Sequence, residues 1–336
     1  MPDATAPADA VVAVDVSALA RLRGHPAFAY KRAIQPAAAR FGRAARCAWL
    51  PADSPPVRNG DDAAAIPDGD GFLLFAAEGM IESFLVSEPW FCGFSSVMVN
   101  VSDIAAMGGR PLAVVDVFWP GHSDRDLVFD GIHAAAELFG VPVVGGHTGT
   151  SDAGAALAVS IVGRANRLIT SFDAQPGQDL LMAVDLRGQL WKGHPFWNAA
   201  TDRTPAALRA QIGLLAELAE AGLVGAGKDI SMGGVLGTVL MLLECSGVGA
   251  TLDLHAIPRP HEVELETWLM TFPSYGYLLA APRTETSELV QRFAEHGVQC
   301  NRIGQIDEGS CVRLVSDGHT LDFWDLAETP LIGFGA

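Results

Sequence analysis

The stretch "VNVSDIAAMGGRP", residues 99–111, combines the apolar pattern of a buried helix with two polar side chains that such a helix does not need. At helical spacing Asn100 and Asp103 fall on one face, whereas Val101 and Ile104 line another. Oxygen-bearing side chains on a mostly apolar helix suit a cation. We therefore expect the polar face to point at a group that takes oxygen ligands.

Length and charge limit the classes of function. The chain has 336 residues, which is enough for two domains with separate cores. Its formal net charge of -17, without any run of Lys or Arg, disfavours a nucleic-acid partner. An acidic excess indicates either divalent-cation sites or a solvated acidic surface. Only the placement of the carboxylates can decide between these two interpretations.

Cysteine usage and the amino terminus indicate a cytoplasmic protein. The five cysteines show no C-x-x-C pair or zinc-type spacing, and an odd number leaves at least one outside any intrachain disulfide framework. The amino terminus lacks the basic segment of an export signal. The longest apolar run, residues 232–243, is too short to cross a bilayer. We expect no membrane partner.

Helical and extended segments are mixed in both halves of the chain. Residues 71–77, 112–118 and 155–163 are apolar runs of strand length, rich in β-branched side chains. Between them, Ser123 heads a capping-box pattern that starts a helix, and Gly140 stands where that helix should end.

A linker-like stretch at residues 171–179 divides the chain. The second half contains a helix that begins at Thr204 and ends at Gly222. Neither half shows the G-x-G-x-x-G turn of a dinucleotide-binding fold. The sequence therefore predicts an α+β fold with an amino-terminal arm and helix at 1–50 and two domains at 51–170 and 171–336.

Acidic residues stand near the ends of these predicted elements. Asp61 and Asp62 form either a turn or a pair of cation ligands. Glu78 ends an apolar strand, where a carboxylate takes either a surface position or a cation. With Asp103, these residues are candidate metal ligands.

Two glycine-rich segments can offer backbone N–H groups to an anion. In "VVGGHTGTSD", residues 143–152, Gly145 and Gly146 form a predicted turn. His147, which follows them, is a metal ligand, a phosphate donor or an ordinary loop histidine.

The second glycine-rich segment is "GKDISMGG", residues 227–234, where Lys228, Asp229 and Ser231 precede Gly233, Gly234 and a long apolar helix. A glycine-rich helix start suits a phosphate. A plain helix cap with glycines for close packing explains the same residues.

Scattered oxygen ligands and two glycine-rich turns together indicate a magnesium–nucleotide site, because Mg²⁺ binds a few carboxylates along with substrate phosphates. The sequence contains no G-x-x-x-x-G-K-[ST] loop and no protein-kinase H-R-D or D-F-G set. The common ATP-binding motifs are therefore excluded.

The order of the clusters "GDDAA", "VSDIAAMGGRP", "GGHT" and "KDISMGG" over roughly residues 55 to 315 resembles one superfamily. Its members are aminoimidazole ribonucleotide (AIR) synthetase, thiamine monophosphate kinase, selenophosphate synthetase and the hydrogenase-maturation dehydratase. The chain is most similar to the group called AIR synthase-related. The resemblance implies an amino-terminal domain whose sheet pairs into a barrel in a homodimer, with an ATP cleft beside it.

The resemblance also implies roles for matching positions. Asp61 or Asp62, together with Asp103, would hold Mg²⁺ ions that bridge the ATP phosphates, with Asn100 nearby. The candidate metal ligands are Asp61, Asp62, Glu78, Asp103 and Asp229; the candidate nucleotide- or phosphate-binding residues are Asn100, Gly145, Gly146, His147, Thr148, Lys228, Ser231, Gly233 and Gly234.

Three positions depart from the resemblance. Glu78 stands where relatives usually carry aspartate, His147 replaces the aspartate of "GGDT", and Met232 replaces the second aspartate of "DISDG". Cys47 lacks the glycine-rich surroundings of the selenophosphate branch, so we expect a buried thiol there. Lys31 is either a solvated lysine or a residue that reaches phosphate from the amino-terminal arm.

Substrate contacts are less well marked in the sequence. Ser274 and Tyr275 precede a predicted strand, and His194 lies in an aromatic segment at 191–202 that forms either a substrate lid or a packed loop. The candidate catalytic residues are Asp103, Lys31 and His147.

Three functional hypotheses follow. The first is a homodimeric Mg²⁺-dependent enzyme that transfers or uses the γ-phosphoryl group of ATP on a small polar substrate. The second is a nucleotide-binding partner or scaffold protein of the same fold without catalysis. The third is a purine-pathway cycloligase. The acceptor is beyond the sequence.

Overall fold

The computed structural model describes residues 16–150 and 154–335, so the first part of the predicted arm and residues 151–153 lie outside the described residues. The described chain opens with a segment that precedes both domains. Its elements are a 3-10 helix at Val16–Gly24, helix α1 at Pro26–Arg32, helix α2 at Gln35–Phe41, and the paired strands β1 at Ala44–Ala45 and β2 at Val57–Arg58.

The first domain has one sheet covered by helices on one face. In chain order its elements are β3 Ala64–Asp68, β4 Gly71–Gly79, α3 Glu82–Ser87, α4 Pro89–Ala106, β5 Arg110–Trp119, α5 Arg125–Phe139, β6 Val143–Thr148 and β7 Ala156–Ala165. The strand order is β3-β4-β7-β5-β6, antiparallel except for the parallel pair β5–β6. Buried residues alternate along β7, which is the pattern of a sheet with one covered face.

Helices α4 and α5 cross with their backbones in close contact. An added Cβ would lie 1.9 Å from the Trp90 carbonyl oxygen at Gly131, and 2.2 Å from the Val128 carbonyl oxygen at Gly93. Only glycine fits such crossings. This contact presses α4 between α5 and the sheet, which explains why α4 is buried along nearly its whole length.

The second domain contains a larger, mostly antiparallel sheet. In chain order its elements are β8 Asp179–Val184, β9 Gln189–Leu190, β10 Phe196–Asn198, α6 Pro205–Glu220, β11 Ala226–Asp229, α7 Gly234–Ser246, β12 Gly249–Asp253, a 3-10 turn Leu254–Ala256, α8 Leu265–Leu269, β13 Phe272–Pro273, β14 Gly276–Ala281, α9 Thr286–Glu295, β15 Gln299–Asp307, β16 Cys311–Ser316 and β17 His319–Asp325. The seven-stranded order is β11-β14-β8-β15-β12-β16-β17, and β13-β10-β9 form a small separate sheet.

The second domain's sheet separates two apolar cores. Leu181, Ala183 and Leu279 face the core that also contains α4 of the first domain. Leu180, Met182 and other residues of the opposite face pack against α7 and the described segment that precedes both domains. Because the first core includes side chains from both domains, the domains are joined by packed apolar surface.

The predicted α+β class is confirmed, as are the three strand-like runs of the first half. Gly140 ends α5 in the left-handed conformation (φ 71°), as expected. The predicted start of that helix was wrong by one residue. Asp124 is the N-cap and accepts from the Leu127 N–H, whereas Ser123 donates to the Pro120 carbonyl oxygen.

Within the part of the chain that the structure describes, none of the helices is long and apolar enough to span a bilayer.

Phe28 packs the amino-terminal segment against aromatic residues of β17. Its side chain is 0% exposed, with ring centroids 5.5 Å from Trp324 and 6.3 Å from Phe323. Phe28→Ala should lower the free energy of unfolding by about 3–5 kcal/mol, through lost burial and an unfilled cavity, measured by urea denaturation. Phe41→Ala, at a side chain 71% exposed, is the control and should change it by less than about 0.5 kcal/mol. Equal effects of the two substitutions would contradict this packing.

Candidate functional site

A cavity of about 380 Å³ lies between the two domains. Its wall is formed by α1, the end of β4, α3, α4, the end of β11 and the carboxyl-terminal tail. The polar lining residues are Tyr30, Lys31, Asp61, Asp62, Glu78, Ser95, Ser102, Asp103, Lys228, Asp229, Ser231 and Ser274.

Three carboxylates meet at one end of this cavity. Asp62 lies in the turn before β3, Asp103 on α4 and Asp229 at the end of β11, and one oxygen of each lies within 4.8 Å of the others. The Asp103 Oδ2 atom is buried without a hydrogen-bond partner in the described chain. Hard oxygen donors at this separation, one of them unpaired, fit a Mg²⁺ ion. We call this set the carboxylate cluster.

Burial raises the pKa of Asp103 well above its ordinary value, and the neighbouring carboxylates of Asp229, Glu78 and Asp62 raise it further. Burial likewise raises the pKa of Asp229, with Asp62 the next cause. Ionised carboxylates packed this closely repel one another in a low dielectric. A divalent cation would relieve this repulsion.

Two lysines face the carboxylate cluster. Lys228 forms a buried ion pair with Asp62. Although burial lowers it, the carboxylates of Asp62 and Asp61 hold the pKa of Lys228 above its ordinary value. The Lys31 Nζ atom instead donates to the Ser231 hydroxyl at 3.2 Å. Burial, and then the charge of Lys228, lower the pKa of Lys31.

The other two predicted acidic ligands lie beside the carboxylate cluster. Glu78 lines the cavity, and burial raises its pKa. Asp61 accepts hydrogen bonds from the Ser171 N–H at 3.0 Å and the Ser171 hydroxyl at 2.6 Å. Burial raises the pKa of Asp61 to about 6. Both of its oxygens face Ser171, so it fixes the turn that carries Asp62.

The end of the cavity away from the carboxylate cluster is aromatic. Phe84 lies 4.9 Å from Phe196 between ring centroids, and Phe196 lies 4.3 Å from Phe272. The Phe91 ring centroid lies 6.1 Å from that of Phe84 and also lines this end of the cavity. We call Phe84, Phe91, Phe196 and Phe272 the aromatic wall. The cavity therefore has a charged end and an apolar end, which suits a ligand with an anionic group attached to a flat apolar one.

Several predicted site residues lie elsewhere. Asn100 faces the sheet rather than the cavity, and its amide donates to the carbonyl oxygens of Ser96 at 2.8 Å and Val159 at 3.1 Å. The predicted polar face of α4 is thus divided, because Asn100 bonds to β7 while Asp103 faces the other domain.

The predicted turn at Gly145–Thr148 was wrong, because these residues are part of the exposed edge strand β6. Gly146 is opposite Asp116 of β5, and an added Cβ there would lie 2.2 Å from the Asp116 Oδ1 atom. The His147 and Trp119 rings are 5.7 Å apart. Within the described chain, this strand does not line the cavity.

In the second domain, Lys228, Asp229 and Ser231 line the cavity but Gly233 and Gly234 do not. Gly233 caps α7 at φ 104°, and at Gly234 an added Cβ would lie 2.4 Å from the Leu269 carbonyl oxygen. Of the two interpretations drawn from the sequence, the two glycines fit the helix cap with close packing.

Of the substrate candidates, only Ser274 lines the cavity. The buried Tyr275 hydroxyl donates to the Gln211 carbonyl oxygen at 3.0 Å. His194 lies behind the aromatic wall, 5.4 Å from the Phe84 ring. Cys47, expected to be buried, is exposed.

The aromatic wall and the tail residues Ile332 and Phe334 line the cavity but were not predicted from the sequence. The aromatic segment at 191–202 was a signal for the wall. The tail carried no such signal, because its place at the site depends on long-range contacts.

The raised pKa of Asp103 predicts a stability effect with a definite sign. The folded protein resists ionisation of Asp103, so this residue's contribution to stability is lost as the pH rises above the ordinary carboxyl range. Without divalent cations, Asp103→Asn should therefore raise the urea midpoint at about pH 8, and the gain should shrink toward about pH 4.

Addition of Mg²⁺ should stabilise the wild type and not Asp103→Asn, because the substitution removes one of the three carboxylates that would hold the ion. Asp130→Asn, at an exposed position of α5, is the matched control and should behave as the wild type. A lower midpoint for Asp103→Asn at both pH values would refute the assigned burial cost.

Comparisons with known proteins agree with this architecture. The family description "AIR synthase related protein, N-terminal domain" matches residues 60–165, and "AIR synthase related protein, C-terminal domain" matches residues 187–317. Each of the three residues of the carboxylate cluster falls inside a matched range.

Three similar proteins span most of this chain. The uncharacterized protein sll0787 of Synechocystis sp. is 47% identical over 84% of this chain and 88% of its own length. A thiamine-monophosphate kinase of Synechococcus elongatus is 29% identical over 79% of this chain and 88% of its own. The structure of Thermotoga maritima PurL complexed with ATP has a TM-score of 0.69 and 22% identity, covering 81% of this chain and 46% of that chain. That likeness shows the shared fold.

The two family domains match the chain in order, and the carboxylate-lined cavity lies between them. The chain belongs to the AIR synthase related proteins.

Proposed function

We propose that this protein is a cytoplasmic Mg²⁺-dependent enzyme that transfers the γ-phosphoryl group of ATP to an oxygen of a small polar substrate, or uses it to activate that substrate. The observation that carries the proposal is the carboxylate cluster, with one oxygen of each residue within 4.8 Å of the others in an interdomain cavity. The likeness to a thiamine-monophosphate kinase and to an ATP complex of PurL supports it.

Different residues of the site would have different roles. Asp62, Asp103 and Asp229 would hold the metal, which when bound supplies positive charge against the phosphate oxygens. Lys228 orients Asp62 through their ion pair. The Asp229 N–H donates to the Asp62 Oδ2 atom at 3.1 Å, which fixes the second oxygen. Most of the catalytic effect would then come from positioning and charge neutralisation.

The proposed reaction is a phosphoryl transfer. A bond forms between the acceptor oxygen and the γ-phosphorus, and the bond from that phosphorus to the β,γ-bridging oxygen breaks, which releases ADP. A proton on the acceptor oxygen would pass to Glu78, whose pKa is raised by burial and which is therefore a better base than an exposed glutamate. The aromatic wall would hold the flat group of a bound molecule.

A nucleotide-binding scaffold without catalysis is the second candidate. Glu78 stands where the proteins this chain resembles usually carry aspartate, and His147 and Met232 replace acidic residues of those proteins. The structure keeps three carboxylates together without them, which favours the enzyme. Nucleotide binding without turnover over a panel of acceptors would favour the scaffold.

Calorimetric titration tests the site before the acceptor is known. ADP and a non-hydrolysable ATP analogue should each bind once per chain with Mg²⁺ and at least about tenfold more weakly without it. Asp103→Asn should remove the Mg²⁺ dependence, while Asp130→Asn, exposed on α5, should retain it. If neither nucleotide binds to the wild type under any condition, the proposed function is wrong.

We further propose a homodimer formed through the first domain's sheet. The sheet face opposite the helices carries Phe75 at 51%, Val115 at 39% and Val117 at 36% exposure. A contiguous exposed apolar sheet face indicates an interface. Face-to-face pairing of two such sheets would bury it.

Val115→Asp should shift the protein from dimer to monomer in sedimentation equilibrium, because a charge at the centre of the face is costly to bury. Leu127→Asp, at a 41% exposed position on α5, changes an apolar residue outside this face and should leave the dimer intact. A wild type that is monomeric at high concentration would rule out this interface.

A further inference from the structure

The two ends of the described chain form one unit outside the matched family domains. Residues 16–59 precede the first matched range and 318–335 follow the second. Arg23 Nε donates to the Phe323 carbonyl oxygen at 2.7 Å, and the Gln35 side chain donates to the carbonyl oxygens of Pro330 at 2.8 Å and Leu331 at 3.2 Å. We call this unit, residues 16–41 and 319–335, the terminal module.

The terminal module is fixed to the body of the protein by a buried carboxylate. Glu244 on α7 accepts the backbone N–H groups of Leu331 at 2.7 Å, Ile332 at 2.9 Å and Gly333 at 2.7 Å. These bonds place Ile332 and Phe334 on the cavity wall. The module is thereby held against the site rather than free to move away from it.

Phe334 also contacts the turn that carries Asp62. An added Cβ at Gly60, which has φ 108°, would lie 2.7 Å from the Phe334 Cβ and Cγ atoms. Gly60 directly precedes the Asp61–Asp62 pair. The terminal module therefore touches the carboxylate end of the cavity as well as its wall.

The module brings one cation to that end. Among the cavity's lining residues, the cationic side chains are Lys31 and Lys228. Lys228 is already paired with Asp62. In the described chain no carboxylate lies within 4.0 Å of the Lys31 ammonium, and its hydrogen bond is to the Ser231 hydroxyl at 3.2 Å. An ammonium has three N–H donors, so Lys31 keeps donors for a ligand.

A phosphate chain at this end needs more than a metal. The cavity's acidic residues outnumber its lysines, so a bound phosphate chain would lie beside carboxylates that those lysines do not neutralise. A second cation beside the carboxylate cluster would offset the charge of the phosphate oxygens. Lys31 reaches the cavity from α1, on a different element from each residue of the carboxylate cluster.

Resting on the proposed function, we propose that Lys31 binds the terminal phosphate of the bound nucleotide. The terminal module, rather than the two family domains alone, then distinguishes a nucleoside triphosphate from a diphosphate. Lys228 serves a different purpose, since it holds Asp62 in place.

The test compares two nucleotides on variants of the full-length chain. In calorimetric titrations with Mg²⁺, Lys31→Met should weaken binding of the β,γ-methylene analogue of ATP by about 10- to 100-fold, the effect of losing a hydrogen bond to a charged group. Binding of ADP should change by less than about twofold. Lys31→Arg should retain most of the affinity for the analogue, because it keeps the charge.

Arg40→Met is the matched control, since it removes one exposed positive charge from α2 of the same module. It should leave both affinities unchanged. Thermal unfolding of each variant checks the fold, and Lys31→Gln, which can still donate to Ser231, replaces Lys31→Met where the latter unfolds early.

Unchanged binding of the analogue to Lys31→Met, or equal weakening of the analogue and ADP, would overturn the assignment of Lys31. In both cases the wild type still binds nucleotide, so the proposed function survives. A wild type that binds neither nucleotide overturns both proposals.

Discussion

The structure depends on the burial of α4, a helix that carries a carboxylate. Close approach at Gly93 and Gly131 presses α4 against α5, and the sheet and the second domain cover its remaining sides. Asp103 is consequently 5% exposed and has an unpaired oxygen. Burial of an unpaired carboxylate is unfavourable. A cation bound to Asp103 would offset this cost. The fold accepts a cost in stability at the place where the two domains meet.

The cavity separates two kinds of recognition. At one end Asp62, Asp103 and Asp229 present hard oxygens, and at the other aromatic rings present flat apolar surface. The first domain supplies Asp62 and Asp103, and the second supplies Asp229. Because each end is built from both domains, the site exists only when the domains pack together. Relative motion of the domains would change the carboxylate cluster and the aromatic wall at once.

Much of this arrangement could be predicted from the sequence. Alternation and β-branched runs identify the strands of the first domain, and a glycine in the left-handed conformation ends α5. The motif that contains Asp103 and the segment "GKDISMGG" were expected to serve one site, and Asp103, Lys228 and Asp229 do line one cavity. Local rules failed where tertiary contacts compete. Gly145 and Gly146 belong to a strand because β5 pairs with them, and Asn100 faces the sheet because the Val159 carbonyl accepts its amide.

The sequence by itself determined the fold class, the family resemblance and the acidic residue types, since periodicity, caps and short motifs are properties of neighbouring residues. Only the tertiary structure decided which carboxylates meet. Asp61 bonds Ser171 while Asp62 joins Asp103 and Asp229, although the two aspartates are adjacent in the chain. The tertiary structure also brought the tail residue Phe334 and the α1 residue Lys31 to the same cavity. Such contacts depend on packing between residues that are tens to hundreds of positions apart, and no local pattern encodes them.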